Sequence, residues 1–303
     1  PLQFSSLPVI SAPSLEVCPR PSGVGAMAVS PEAWGVIGAF VVMAVSNNLA
    51  MKKFFGGKDN KELSDTHPTY VSPDGLTFAV WGLIYLTELI LVVAQAFPSE
   101  HTEGLLAKRC PLTGLDVRQR LIFAFCANAV WLPVFNNECF WIALGVMAVY
   151  FGFLLSVYSD LNVAATSGFL EAATLCTGIG MNTSWIVVAF MLSVFFCGGT
   201  AGWQDQHGVA GNVPVAALVV IAVAALGCER ALRGGDLGWA FVAGWTCRGI
   251  YRMQTIPDKV RFPISALSSS LGSVAGACSI VVFSAMLLKV CMIGMQSVNA
   301  KQA

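Results

Sequence analysis

From residue 31 onward the chain alternates long apolar runs with short stretches that hold most of its charge. Runs close to the ~20 residues that cross a ~30 Å hydrocarbon layer predict membrane helices. The first runs from Trp34 to Met51, opened by Ser30-Pro31-Glu32, which supplies an N-cap, a proline at the first helical position and an early acid. Lys52-Lys53 and Gly56-Gly57 close it, and the polar stretch Lys58 to Pro73 reads as a loop. A second helix is predicted over about Leu76 to Phe97, a third over Arg120 to Phe135 and a fourth over Phe140 to Tyr158. Asn136-Asn137-Glu138 forms a tight turn that makes the third and fourth antiparallel neighbours. The fifth run, Leu170 to Phe196, is long, so a tilt or an interruption near Gly178 and Gly180 is expected. Val213 to Leu232 and Leu237 to Tyr251 follow, joined by Arg233-Gly234-Gly235-Asp236. The eighth run, Leu271 to Ile293, opens with Gly272 and Gly276, a small-residue spacing that lets helix backbones approach closely in lipid. The fold class is therefore all-α, a polytopic transmembrane helical bundle of about eight helices.

Composition agrees with lipid as the solvent. Apolar residues make up 56% of the 303 and charged residues 11%, against about a quarter charged in soluble domains. The 17 basic and 17 acidic residues cancel, which removes any electrostatic case for nucleic acid. Lys and Arg divide almost evenly between the two sides, so orientation stays open. Ten cysteines are scattered singly, with no C-x-x-C, and read as small hydrophobes rather than metal ligands. Residues 1–30, rich in Ser, Pro, Ala and Val, with Arg20 and a single acid, Glu16, read as an extended arm, either the remnant of a processed organellar precursor or an ordinary unstructured N-terminal arm. The organisation is then that arm, a transmembrane core over 31–257, and an additional C-terminal helix with a short tail over 258–303.

Candidate chemistry concentrates on the second helix. Phe78, Trp81, Tyr85 and Glu88, spaced by three, four and three, share one helical face. An aromatic wall with a carboxyl further along suits a flat, mostly apolar ligand, and a carboxyl within a membrane helix calls for a cavity or a partner. Asn128 with Trp131, and Asn182 with Trp185, each put an amide and an indole on one face, able to bind a ligand or to tie helices together. Trp245, Arg248 and Arg252 share a face of the seventh helix, with Arg248 available to a lipid headgroup or an acid. His67, His101 and His207 all fall in predicted loops, against bis-His haem ligation. No G-x-S-x-G, Walker A or H-E-x-x-H sequence occurs, so an enzyme is the weakest class.

The stretch Pro68-Thr69-Tyr70-Val71-Ser72-Pro73-Asp74-Gly75-Leu76-Thr77-Phe78-Ala79-Val80-Trp81-Gly82-Leu83-Ile84-Tyr85 resembles the translocator protein / tryptophan-rich sensory protein (TspO/MBR) family, closest to its longer relatives. Ala127 to Trp131, Thr183 to Ala189 and Asp236 to Ile250 resemble later segments of that family in the same order. Asp74 and Ser184 depart from its pattern, and the helix count exceeds its five. The resemblance implies a five-helix TspO-like core whose cavity, closed by the loop before the second helix, takes porphyrins, sterols or related ligands. Pro73, Phe78, Trp81, Tyr85, Asn128, Trp131 and Trp185 would then line or close it; Glu88 and Asn182 join them on the reading of the residues alone.

The expected function is binding of a flat lipophile of the tetrapyrrole or sterol class for sensing or transport. The alternative is a structural or pigment-associated accessory subunit of a photosynthetic or respiratory complex. No cofactor is fixed by a motif; porphyrin, chlorophyll and carotenoid are the classes left open, and no metal site is expected. Expected partners are membrane lipids, a lipophilic small molecule, and other membrane subunits packing on Gly272 and Gly276; nucleic acid is not among them. The expected location is an organellar membrane, thylakoid or mitochondrial.

Overall fold

The structure is a computed structural model that describes residues 29–257 and 267–302. The N-terminal arm, Lys259 and Arg261 lie outside those residues, apart from the arm's last two positions. The described residues form ten helices: α1 Pro31–Met51, α2 Asn60–Thr66, α3 Val80–Ala94, α4 Glu100–Leu106, α5 Val117–Asn136, α6 Phe140–Asp160, α7 Phe169–Thr200, α8 Val213–Gly234, α9 Leu237–Thr255 and α10 Ser269–Gln302. A 3-10 turn, Gly75–Ala79, leads into α3. Six segments, those of α1, α3 with its leading turn, α6, α7, α8 and α10, are long and apolar enough to cross a membrane. The other two long helices, α5 and α9, carry Arg118, Arg120, Asn128 and Gln254, yet bury more than half of their residues; their polar groups are spent inside the bundle.

Capping sets several ends away from where the apolar pattern puts them. The stretch Lys58 to Pro73 is not wholly a loop: Asp59 accepts from the Glu62 amide and Glu62 reaches back to the Asp59 amide, a reciprocal cap that starts α2. Asp116 and Gln119 do the same for α5, which begins three residues before Arg120. Ser99 caps α4, so His101 is helical rather than in a loop. The break expected near Gly178 and Gly180 falls earlier, as a π-helical turn over Ala172–Cys176, and α7 then runs unbroken through both glycines. These glycines admit neighbours instead. A Cβ on Gly178 would stand 2.8 Å from the α3 backbone at Thr87 and Glu88, and one on Gly180 would meet the Asp236 carboxylate.

One apolar cluster joins α1, α3, α5, α6 and α7; a second joins α7, α8, α9 and α10. The first is a five-helix core, and α8 to α10 are packed onto its α7 side, with Trp239 and Val242 of α9 reaching into it. Gly272 and Gly276 face Thr255 and Tyr251 of α9, so the small-residue spacing is used within the chain. Alternating directions put the connections 52–79, 137–139 and 201–212 at one end of the bundle, and 95–116 and 161–168 at the other.

Pro133 sits inside α5 and has no N–H for the carbonyl four residues back. Ser46 of α1 fills that gap, its hydroxyl donating to the Ala129 carbonyl at 2.7 Å. A proline that would only weaken α5 thus fixes α1 against it.

Candidate functional site

A cavity of about 550 Å³ lies between α1, α3 and α5. Phe40, Ala44 and Met51 of α1, Leu86 and Leu89 of α3 and Leu132 of α5 supply its apolar walls, with Phe78 and Trp81 as the aromatic face. Leu86, Leu89 and Met51 are about half exposed on the outer surface, so the cavity opens sideways where α1 packs only lightly on α3. Trp81 stacks on Tyr85 at 5.4 Å between ring centres and meets Trp185 edge-on at 6.0 Å. Phe78 meets the same Trp185 edge-on at 5.6 Å. This interlock holds each ring in a favoured offset or T-shaped arrangement.

Of the residues singled out from sequence, Phe78, Trp81, Tyr85, Asn128 and Trp131 line this cavity. Trp185 lines a small adjoining void of about 40 Å³, together with Phe78, Trp81 and Trp131. Pro73 lies further out, on a vestibule of about 590 Å³ that shares Met51, Asn60 and Phe78 with the cavity. Glu88 and Asn182 are fully buried behind the aromatic wall, where Asn182 donates to Glu88 at 2.5 Å and to the Tyr150 hydroxyl at 2.6 Å.

The network continues from there to the cavity. Asn128 donates to Tyr150 at 3.0 Å, and Asn47 donates to Asn128 at 3.0 Å and to the Tyr85 hydroxyl at 2.7 Å. A hydrogen-bonded chain therefore links α3, α7, α6, α5 and α1, each member occupying a place where an unmade bond would be costly in an apolar surround. Asn47 was not among the sequence candidates. As a polar residue in a membrane helix it carried the same signal as Glu88, but no regular spacing tied it to an aromatic stripe. Tyr150 and Asn60 were missed likewise.

The loop before α3 is clasped over this end of the bundle from two sides. Asp74 pairs with Arg252 at 2.9 Å, its amide donates to the Gly249 carbonyl, and Trp245 donates through its indole to the Thr77 carbonyl. Gly249 is required there, since a Cβ would collide with the Thr77 side chain. Arg248 is exposed and lines a small pocket with Asp74, rather than pairing with it. On the other side Tyr70 donates to Asp205 at 2.7 Å, and backbone bonds join Pro68 and Tyr70 to Ala210. Burial, with the Asp205 bond adding to it, pushes the Tyr70 hydroxyl up to about 12. Burial also pushes Asp205 upward, but the Tyr70 hydroxyl and the amides of Val209 and His207 outweigh it and hold the carboxyl below its ordinary value. Next to this clasp, Lys58 and then His67 hold Glu138 below the usual carboxylate range, at 2.8 and 2.6 Å.

Among the described residues no cluster of His, Cys, Asp or Glu has the form of a metal site. A family model described as TSPO-like protein matches residues 33–288, from the start of α1 into α10. No curated protein and no solved structure matches the chain.

Proposed function

The chain belongs to the TSPO-like protein family and is an integral membrane protein; on that premise we propose that it binds a flat lipophile of the tetrapyrrole or sterol class in the cavity between α1, α3 and α5, for sensing or transport. The observation that carries this reading is the cavity itself. It has the size of a small-molecule site, apolar walls, a stacked aromatic face and a few buried polar groups at fixed positions. Its side opening at Leu86, Leu89 and Met51 suits a ligand that arrives dissolved in the bilayer. At the aqueous end the loop before α3, held by the Tyr70 and Asp74 pairs, borders the vestibule that adjoins the cavity.

The test is Trp fluorescence of the protein in bilayers, titrated with protoporphyrin. Saturable quenching that disappears in Ala44→Phe, where the new ring fills the cavity, supports the reading. Quenching that never saturates, or that is the same in Ala44→Phe and Trp81→Ala, contradicts it.

A further inference from the structure

The polar groups on the cavity wall are not equally committed. Asn47 is 5% exposed and Asn128 1%, and their amide hydrogens bind inside the wall: Asn47 to Tyr85 and Asn128, Asn128 to Tyr150. In the Asn47 bond the Tyr85 hydroxyl is the acceptor, which leaves its own hydrogen for another acceptor. The ring is held by stacking on Trp81 and its oxygen by Asn47, so this donor is fixed at a set place on the cavity wall. Trp131 lines the same cavity, but its indole nitrogen, also without a partner among the described residues, is buried, so the Tyr85 hydroxyl is the donor that carries the argument. Donors without acceptors in an apolar surround cost free energy until something supplies the acceptor.

On the premise that this cavity takes a flat lipophile, we infer that its occupant carries an acceptor oxygen, a carbonyl or a hydroxyl set on the flat apolar body, and that Tyr85 donates to it. Tyr85 is then the residue that determines specificity, and Asn47 is a positioning residue that keeps its oxygen in place. A wholly hydrocarbon body fits the aromatic wall equally well but leaves the hydroxyl unanswered.

Fluorenone and fluorene are flat, apolar and of nearly one shape, and differ in a single carbonyl, so binding of each in tritiated form to the protein in bilayers isolates that oxygen. Fluorenone should bind roughly fivefold to tenfold more tightly than fluorene, and Tyr85→Phe should bring it down to the fluorene level. The carbonyl stretch of bound fluorenone should move to lower frequency in the wild type and return in Tyr85→Phe, a readout that a purely structural role for Tyr85 would not give. Equal binding of the two compounds with no carbonyl shift overturns the inference and leaves the cavity reading standing. Absence of saturable binding by either compound, in a protein that still folds, overturns both.

Discussion

The Ser46 hydroxyl donates to the Ala129 carbonyl, the one that Pro133 leaves without its helical partner. Two facts that look separate in the sequence, a serine in one apolar helix and a proline in another, are one interaction in the fold. It holds α1 on α5 beside Asn47 and Asn128, where the cavity has its polar end.

Ser46→Ala should therefore destabilise the bundle by about 1 kcal/mol in the wild-type background, and much less in Pro133→Ala, where a restored N–H can take the Ala129 carbonyl. A double-mutant cycle on thermal unfolding in detergent measures the difference. Equal costs in both backgrounds would show that Ser46 acts by some other route.

Gly178 and Gly145 make a paired prediction. A Cβ at Gly178 lands on the α3 backbone, which cannot rotate aside, whereas one at Gly145 on the outer face of α6 meets nothing within 4 Å. Gly178→Ala should cost about 1–3 kcal/mol, and Gly145→Ala should be neutral or stabilising by about 0.4–1 kcal/mol. Unfolding of the two variants under one set of conditions ranks them, and a tolerated alanine at 178 would mean that α3 and α7 are not in the close contact described.

The Tyr70 to Asp205 clasp has a defined pH window. Asp205 is depressed in the folded state, so its contribution is present above the unfolded value of 3.8 and is lost as pH falls through the lower folded value. Tyr70 is raised, so the folded protein keeps the proton longer; that contribution is present below 10 and fades as pH rises from there toward 12. Hydrogen exchange of residues 203–211, corrected for intrinsic rates, should be slowest between these limits. Within that window Tyr70→Phe should raise it, by the loss of about 1 kcal/mol for a bond that is partly open to solvent, and outside it the two proteins should converge. An unchanged rate in Tyr70→Phe would mean that the backbone bonds to Ala210 hold the loop alone.

How far the fold was legible depended on whether a feature repeats along one helix. The stripe Phe78, Trp81 and Tyr85, and the pair Asn128 and Trp131, could be read because a 3.6-residue period puts them on one face, and all five line one cavity. Long helices were legible for the same reason, by their unbroken apolar length. The short helices α2 and α4 were not, since they rest on caps at Asp59 and Ser99 rather than on any apolar period. Glu88 and Asn182 each stood out as polar groups in apolar helices, but nothing in the letters says that they bind one another across 94 positions. Gly178 shows a further limit: spacing alone does not separate a glycine that interrupts a helix from one that admits a neighbour, and here it admits α3.

The central claim is that a flat lipophile sits between α1, α3 and α5, and the most direct measurement is to label it there. A pyrene carrying a diazirine, added to the protein in bilayers, photolysed and mapped by mass spectrometry, should mark Ala44 to Met51, Trp81 to Leu89 and Asn128 to Leu132. That labelling should saturate and be displaced by excess unlabelled pyrene. Label spread over lipid-facing side chains such as Ile142, Leu218, Ile280 and Leu287, with no displacement by competitor, would contradict the claim.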